Sequence, residues 1–251
     1  MPTKTKKELT ITDSSSEVAT IQIPEGYDSG ILREDVKMPS VMLWQKMSDM
    51  PEFEDSNVKA GDFVCPVSGD ILGTSFHGAV IKAHVTARVY GDAGADGRKE
   101  VLKYSSDGVN WDNGDRIQPS EFAWNGQNPP TALKSFHYLV IVKELFEKGF
   151  ELPAIVTFKG ASAKNAKTLN ANLLYARPAW NCWIKFSSST EEKNGNKYCL
   201  LQSVRLPKRL VTQEIANACF DVYSSLQDKV VTSEEMESDK GFDGNSVDFD
   251  E

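Results

Sequence analysis

Asn181-Cys182-Trp183-Ile184-Lys185-Phe186-Ser187 and Lys197-Tyr198-Cys199-Leu200-Leu201-Gln202-Ser203-Val204-Arg205, joined through Asn194-Gly195, decide the fold. In an extended chain successive side chains leave on opposite faces. That alternation sets Trp183, Lys185 and Ser187 against Cys182, Ile184 and Phe186. Asn-Gly supplies the positive backbone angles of a tight hairpin turn, so the two runs read as antiparallel strands.

Outward from this hairpin, residues 154–159 form another strand, rich in apolar and β-branched residues. Residues 160–175 predict a helix with Ala166, Leu169 and Leu173 on one stripe and Lys164 and Lys167 beside it. Residues 136–142 are continuously apolar and read as a buried strand, with a helix through 145–148 in competition. Residues 79–90 give a longer strand, and 59–73 a hairpin about the Ser68-Gly69-Asp70 turn. Pro39 predicts a short helix ahead of Met42, Leu43 and Met47. Thr212 caps a final helix along which Ile215, Ala218, Cys219, Val222, Tyr223 and Leu226 recur at helical spacing. The expected class is mainly β with a few helices, α+β. Its body is 38–226, with a loop-rich insert at 91–130. Residues 1–37 form an N-terminal arm with one strand near 18–23, and 227–251 a disordered acidic tail.

The four cysteines, Cys65, Cys182, Cys199 and Cys219, keep no metal-knuckle or redox spacing, and the polar, Lys-rich start is not a signal core. A reducing cytoplasm is expected, in the host if the source is viral. No run reaches the roughly twenty apolar residues of a membrane span.

Enzyme signatures are missing from the sequence. His77, His84 and His137 lack the helical spacing of a zinc site, and no phosphate-cradling loop, nucleophile elbow or dinucleotide fingerprint occurs. No catalytic residue, cofactor or metal is therefore expected. Residues 91–97 lack the distant Glu of a calcium loop. Residues 104–111 read as a hairpin, not as one blade of a propeller, because the motif does not repeat. A metal-dependent nuclease would have to draw on Asp92, Asp96, Asp107, Asp112 and Asp115, all in the insert.

The net charge of -8 conceals a division. From Glu151 to Leu210 ten Lys or Arg face three carboxylates; from Gln227 onward nine carboxylates face two Lys. Non-specific single-strand binding needs cations that follow phosphates and flat side chains on which bases stack. Tyr175, Arg177, Trp180, Trp183 and Lys185, with Lys193, Lys197, Arg205, Lys208 and Arg209 beyond, hold both kinds of residue. The alternative is that the Trp are core and the Lys a solvated face. The tail's Asp248-Phe249-Asp250-Glu251 can compete for a cationic groove or dock its aromatic on a partner.

A β-rich basic body, a helix at 212–226 and an acidic tail ending Val247-Asp248-Phe249-Asp250-Glu251 resemble the single-stranded DNA-binding proteins of bacteriophage replication systems. Residues 39–47, 59–73 and 152–159, the Lys-bearing helix and the Asn194-Gly195 hairpin are similar to segments of such phage proteins. The resemblance implies an OB-like β-barrel core with insertions, non-enzymatic, that holds single-stranded DNA. Trp180 and Trp183 become stacking candidates, and Lys159, Lys164, Lys167, Lys185 and Arg205 phosphate contacts. Arg177 and Lys197 join them from the basic region. The tail would recruit replication or recombination proteins; no membrane is involved, and homo-oligomerisation stays open. The 91–130 insert and the absence of a terminal Phe depart from the simplest such proteins. The rival reading is a phage structural or host-interaction protein whose acidic tail binds a basic protein without DNA.

Overall fold

A computed structural model describes residues 8–12, 18–22, 38–46, 48, 50–53, 56–93, 99–126, 128–193, 195–206 and 210–227. The tail residues Asp248, Phe249, Asp250 and Glu251, with Lys208 and Arg209, lie outside this set, as do Asp96 and most of the 91–97 loop. By contacts the chain divides into Met1–Lys37 and Met38–Glu251. In the first unit β1 (Glu8–Thr12) and β2 (Val18–Gln22) pair antiparallel, Leu9 opposite Ile21.

The second unit runs through β3 (Ser40–Leu43), β4 (Phe63–Cys65), β5 (Asp70–Gly73), β6 (Ser75–Ala93), β7 (Lys99–Ser105) and β8 (Leu133–Val142). One-turn α1 (Lys143–Phe146), β9 (Ala154–Phe158), α2 (Ala163–Tyr175), β10 (Ile184–Lys193), β11 (Asn196–Arg205) and α3 (Gln213–Gln227) follow. Nine strands form one mixed sheet in the order β11-β10-β6-β8-β9-β3-β4-β5, with β7 added to β6. All pairs are antiparallel except β3 with β9.

The sheet is open: its terminal strands β11 and β5 do not pair, so the backbone ladders form no barrel among the described residues. Side chains cover the free edge of β11. The Gln45 amide donates to the Cys199 carbonyl and accepts from the Cys199 N–H, both at 2.9 Å. At Leu201 the N–H donates to Ser162 Oγ at 3.0 Å and the carbonyl accepts from Asn165 Nδ2 at 2.8 Å. Capped edge groups cannot recruit another strand.

Both faces of the sheet are occupied, which is why its strands read as apolar runs more than as clean alternation. On the inner face Phe76, Val80, Tyr138, Val140, Val156, Phe158, Ile184 and Phe186 pack with Ala166 and Leu169 of α2. Phe76 and Phe186 stack there at 4.9 Å. The outer face carries Ala79, Ile81, Leu139, Ile141, Ile155 and Trp183 under Ile215, Cys219 and Leu226 of α3.

The predicted helix at Pro39 is instead β3. Val41 packs into the inner core while Met42 turns to Met50, Phe53 and Val64, a period of two that a helix cannot serve. The Pro39 carbonyl accepts from Ile155 N–H at 2.8 Å, tying this segment to β9. The competition at 136–148 resolves as strand followed at once by helix, since β8 ends where α1 begins. The insert is also more ordered than its composition predicts. It contains β7, and Trp111, Ile117 and Ala132 pack on Ala87 as a small core. The hairpin expected at 104–111 is instead a bend that follows β7, and the antiparallel bridge of Asn110 with Arg116 closes over 111–115.

Candidate nucleic-acid interface

The sequence-predicted cations and aromatics do not gather in one groove. Trp183 is 5% exposed beneath α3, so its indole is core and unavailable to a base. The alternation of β10 is as expected, but the face with Trp183 is covered as well as the face with Ile184 and Phe186. Trp180 is half-buried against Tyr223, ring centroids 5.3 Å apart. Lys185 shares the outer face, between His77 and Val204 on the neighbouring strands. Arg205 pairs with Ile184 and so faces inward; neither its Nε nor the Ser203 Oγ finds a hydrogen-bond partner.

Lys164 and Lys167 stand exposed on α2, Lys164 at 3.4 Å from Glu191. Lys197 on the β10–β11 hairpin meets Glu192 at 3.8 Å, and Arg177 is exposed beside the turn into Trp180. These exposed pairs with carboxylates are weak, each worth no more than about 1 kcal/mol.

Lys159 belongs elsewhere, at the end of β9, where a different set of residues converges on the outer face. In β6 the sequence Lys82-Ala83-His84-Val85-Thr86-Ala87-Arg88 alternates, and the register sets His84 opposite His137 and Thr86 opposite Ser135. His137 in turn lies opposite Thr157 of β9. Its two ring nitrogens are bonded to Thr86 Oγ1 at 2.9 Å and Thr157 Oγ1 at 3.0 Å. Burial pushes His137 down to about 4, helped by the positive charges of His84, Arg88 and Lys159. His84 is lowered as well, by burial and by Lys82, against the opposing pull of Asp107. The register thus sets Lys82, His84 and Arg88 along β6 beside His137 of β8, with Lys159 just past the end of β9, and Asp107 is near enough to act on His84. The Arg88 guanidinium lies 5.6 Å from the Tyr104 ring centroid. Tyr104 is cross-strand from Arg88 on β7, so an aromatic ring stands at the margin of the cationic strip.

Sequence reading misses this strip because it weighs local charge density, and Lys82, His84 and Arg88 are spread through a strand. The signal is nonetheless present: Lys, His, Thr and Arg at every second position mark one polar strand face, exposed at Lys82, half-buried at His84 and Arg88 and buried at Thr86. Of the predicted cations only Lys159 joins it.

Two of the insert's acids, Asp107 and Asp115, are engaged locally. Asp107 accepts from the Val109 and Asn110 N–H groups at 2.7 and 2.8 Å, holding its carboxyl far below the usual range. Asp115 accepts from Asn113 Nδ2 at 2.8 Å. Among the described residues no three His, Cys, Asp or Glu come together as metal ligands, and no helix is long and apolar enough to cross a membrane. Comparison with family models, with curated proteins and with solved structures gives no match to this chain.

Proposed function

We propose that this protein binds single-stranded DNA without acting on it chemically, in a replication or recombination system of the bacteriophage type. The observation that carries the reading is the outer-face strip, where Lys82, His84, Arg88 and Lys159 surround His137 and Tyr104 borders them. Lys and Arg side chains spaced along one strand face offer points of contact for the phosphates of a polyanion. Long strands offer a flat track along which phosphates meet Lys and Arg while a base rests on a ring. The body is proposed to be OB-like, its open sheet drawn together by side-chain contact instead of a closing backbone ladder. Gln45 spanning from the end of β3 to β11 supports that reading.

The acidic tail, with Phe249 near its end, is proposed to compete for the strip and to dock replication or recombination proteins. Four buried, unbridged thiols support a reducing compartment such as the host cytoplasm. The test is fluorescence anisotropy of a labelled oligo-dT across a salt series, with the intact chain and with Lys82→Glu/Lys159→Glu. Binding that weakens with salt, and in the double variant both weaker and less salt-dependent, is expected. Salt-independent binding, or none, removes the DNA reading and favours the rival protein partner of the tail.

A further inference from the structure

On the other face of β6 the insert forms a groove of about 590 Å³. Val109, Arg116, Ile117, Pro119, Phe122 and Lys134 line it. That volume lies within the roughly 300 to 1,000 Å³ of small-molecule sites. Its walls are rigid for reasons visible in the chain. Ile117 N–H donates to the Val109 carbonyl at 2.9 Å, and Trp111 and Ile117 are buried beneath. Gly108, at φ +67°, lets the loop lie against Val85, where a side chain would stand 2.6 Å from a methyl carbon.

The charges of the groove are sorted. Carboxylates next to its lining residues in the chain are already committed locally: Asp107 to the Val109 and Asn110 N–H groups, Asp115 to Asn113 Nδ2, and Glu121 to the Gln118 N–H at 2.8 Å. The cations remain available. Arg116 is exposed and makes no side-chain hydrogen bond or ion pair among the described residues. Lys134 Nζ has only ring faces for company among those residues, 5.2 Å from the Phe122 centroid and 5.8 Å from Phe136. A site with two cations over an apolar wall suits a ligand that joins a phosphate to a flat apolar ring.

We infer that this groove is a second nucleotide subsite, in which a phosphate meets Arg116 and Lys134 and the base lies on the wall of Pro119 and Phe122. The inference rests on the proposed single-stranded DNA binding and extends it to the insert. Ala87 pairs with Lys134 on the groove side, while the next residue, Arg88, faces the strip. The two sites are thus back to back on the same stretch of β6, and only a strand that turns around the sheet fills both. Long oligonucleotides therefore bind more tightly than ones that fill the strip alone.

The experiment compares the intact protein, Arg116→Glu and Lys82→Glu/Lys159→Glu in binding short and long oligo-dT across a salt series. Photo-crosslinking with 5-iodouracil-substituted oligonucleotide, mapped by mass spectrometry, locates the contacts. Arg116→Glu is expected to weaken long-oligonucleotide binding about tenfold and to lower the salt slope by about one. It should spare the short oligonucleotide and the melting temperature, and remove a cross-link at Phe122. If Arg116→Glu binds the long strand like the intact protein while the strip variant is impaired, the groove is overturned and the strip stands. If the intact protein binds neither oligonucleotide, both readings fall.

Discussion

Trp183 packs a core, and under the proposed function the base-stacking ring is Tyr104 instead. Trp183 lies among Ile215, Cys219 and Leu226, so truncation opens a cavity. Trp183→Ala should cost about 3 to 5 kcal/mol of stability, read as a lower denaturation midpoint. Tyr104→Ala should instead leave the midpoint near that of the intact protein and weaken oligo-dT binding by about 1 to 3 kcal/mol. Loss of binding in a fully folded Trp183→Ala protein, with Tyr104→Ala unaffected, would reverse this assignment. His137 yields a separate prediction from its titration. Its folded value is about 4 against an ordinary 6.5, lowered first by burial and then by His84, Arg88 and Lys159. The unfolded chain therefore takes up this proton first. The contribution is whole above 6.5 and is lost as the pH falls toward 4, amounting to about 3 kcal/mol at most. His137→Gln should flatten that part of the stability profile measured by chemical denaturation, and an unchanged profile would exclude His137 as its source.

Among the elements, β6 organises the molecule, since β10, β8 and β7 all pair with it. Its first half is core on both faces, Phe76 and Val80 on one and Ala79 and Ile81 on the other, and past the bulge between Val80 and Lys82 the face of Ile81 carries Lys82, His84 and Arg88. At Gly78 a side-chain carbon would stand 2.2 Å from a Val140 methyl and 3.0 Å from the Phe186 ring. That contact is too close for any residue but glycine. Gly78→Ala should destabilise by about 1 to 3 kcal/mol through forced displacement of Val140, measurable as a reduced melting temperature; an unaltered one would mean that β6 and β8 shift apart freely. Much at this scale is legible in the sequence. The strands at 79–90, 136–142 and 154–159, the hairpin about Asn194-Gly195 and the α3 stripe follow from period and turn chemistry. The Ile215 N–H bond to Thr212 Oγ1, at 3.4 Å, matches the expected cap. What escapes depends on distant partners. β3 is too short to show its alternation against Pro39, and its pairing with β9 joins residues over a hundred positions apart. The core around Trp111 is invisible until Ala87 and Ala132 meet it. The same limit governs the candidate site, where the β9–β8–β6 ladders bring the end of β9, with Lys159, beside His137 and the β6 residues.

For the whole molecule the decisive quantity is the distribution of charge about a net value of -8. Cations concentrate on the body between Glu151 and Leu210, while nine carboxylates follow Gln227. An anionic segment tethered to a body that carries a local run of cations is held near them at raised local concentration, so under the proposed function it competes with a phosphate backbone without needing high affinity. The competition is electrostatic and fades as the screening length shrinks from about 10 Å at 0.1 M salt to about 3 Å at 1 M. A chain ending at Gln227 should therefore bind oligo-dT more tightly than the full chain at low salt, and the two should converge as salt rises. The truncated chain should also show the steeper salt dependence, because the full chain's tail already displaces some of the counterions that DNA would release. Anisotropy titrations of both chains across one salt series decide the matter. Equal affinities at every salt concentration would mean that the tail does not touch the DNA-binding surface, leaving partner docking as its role.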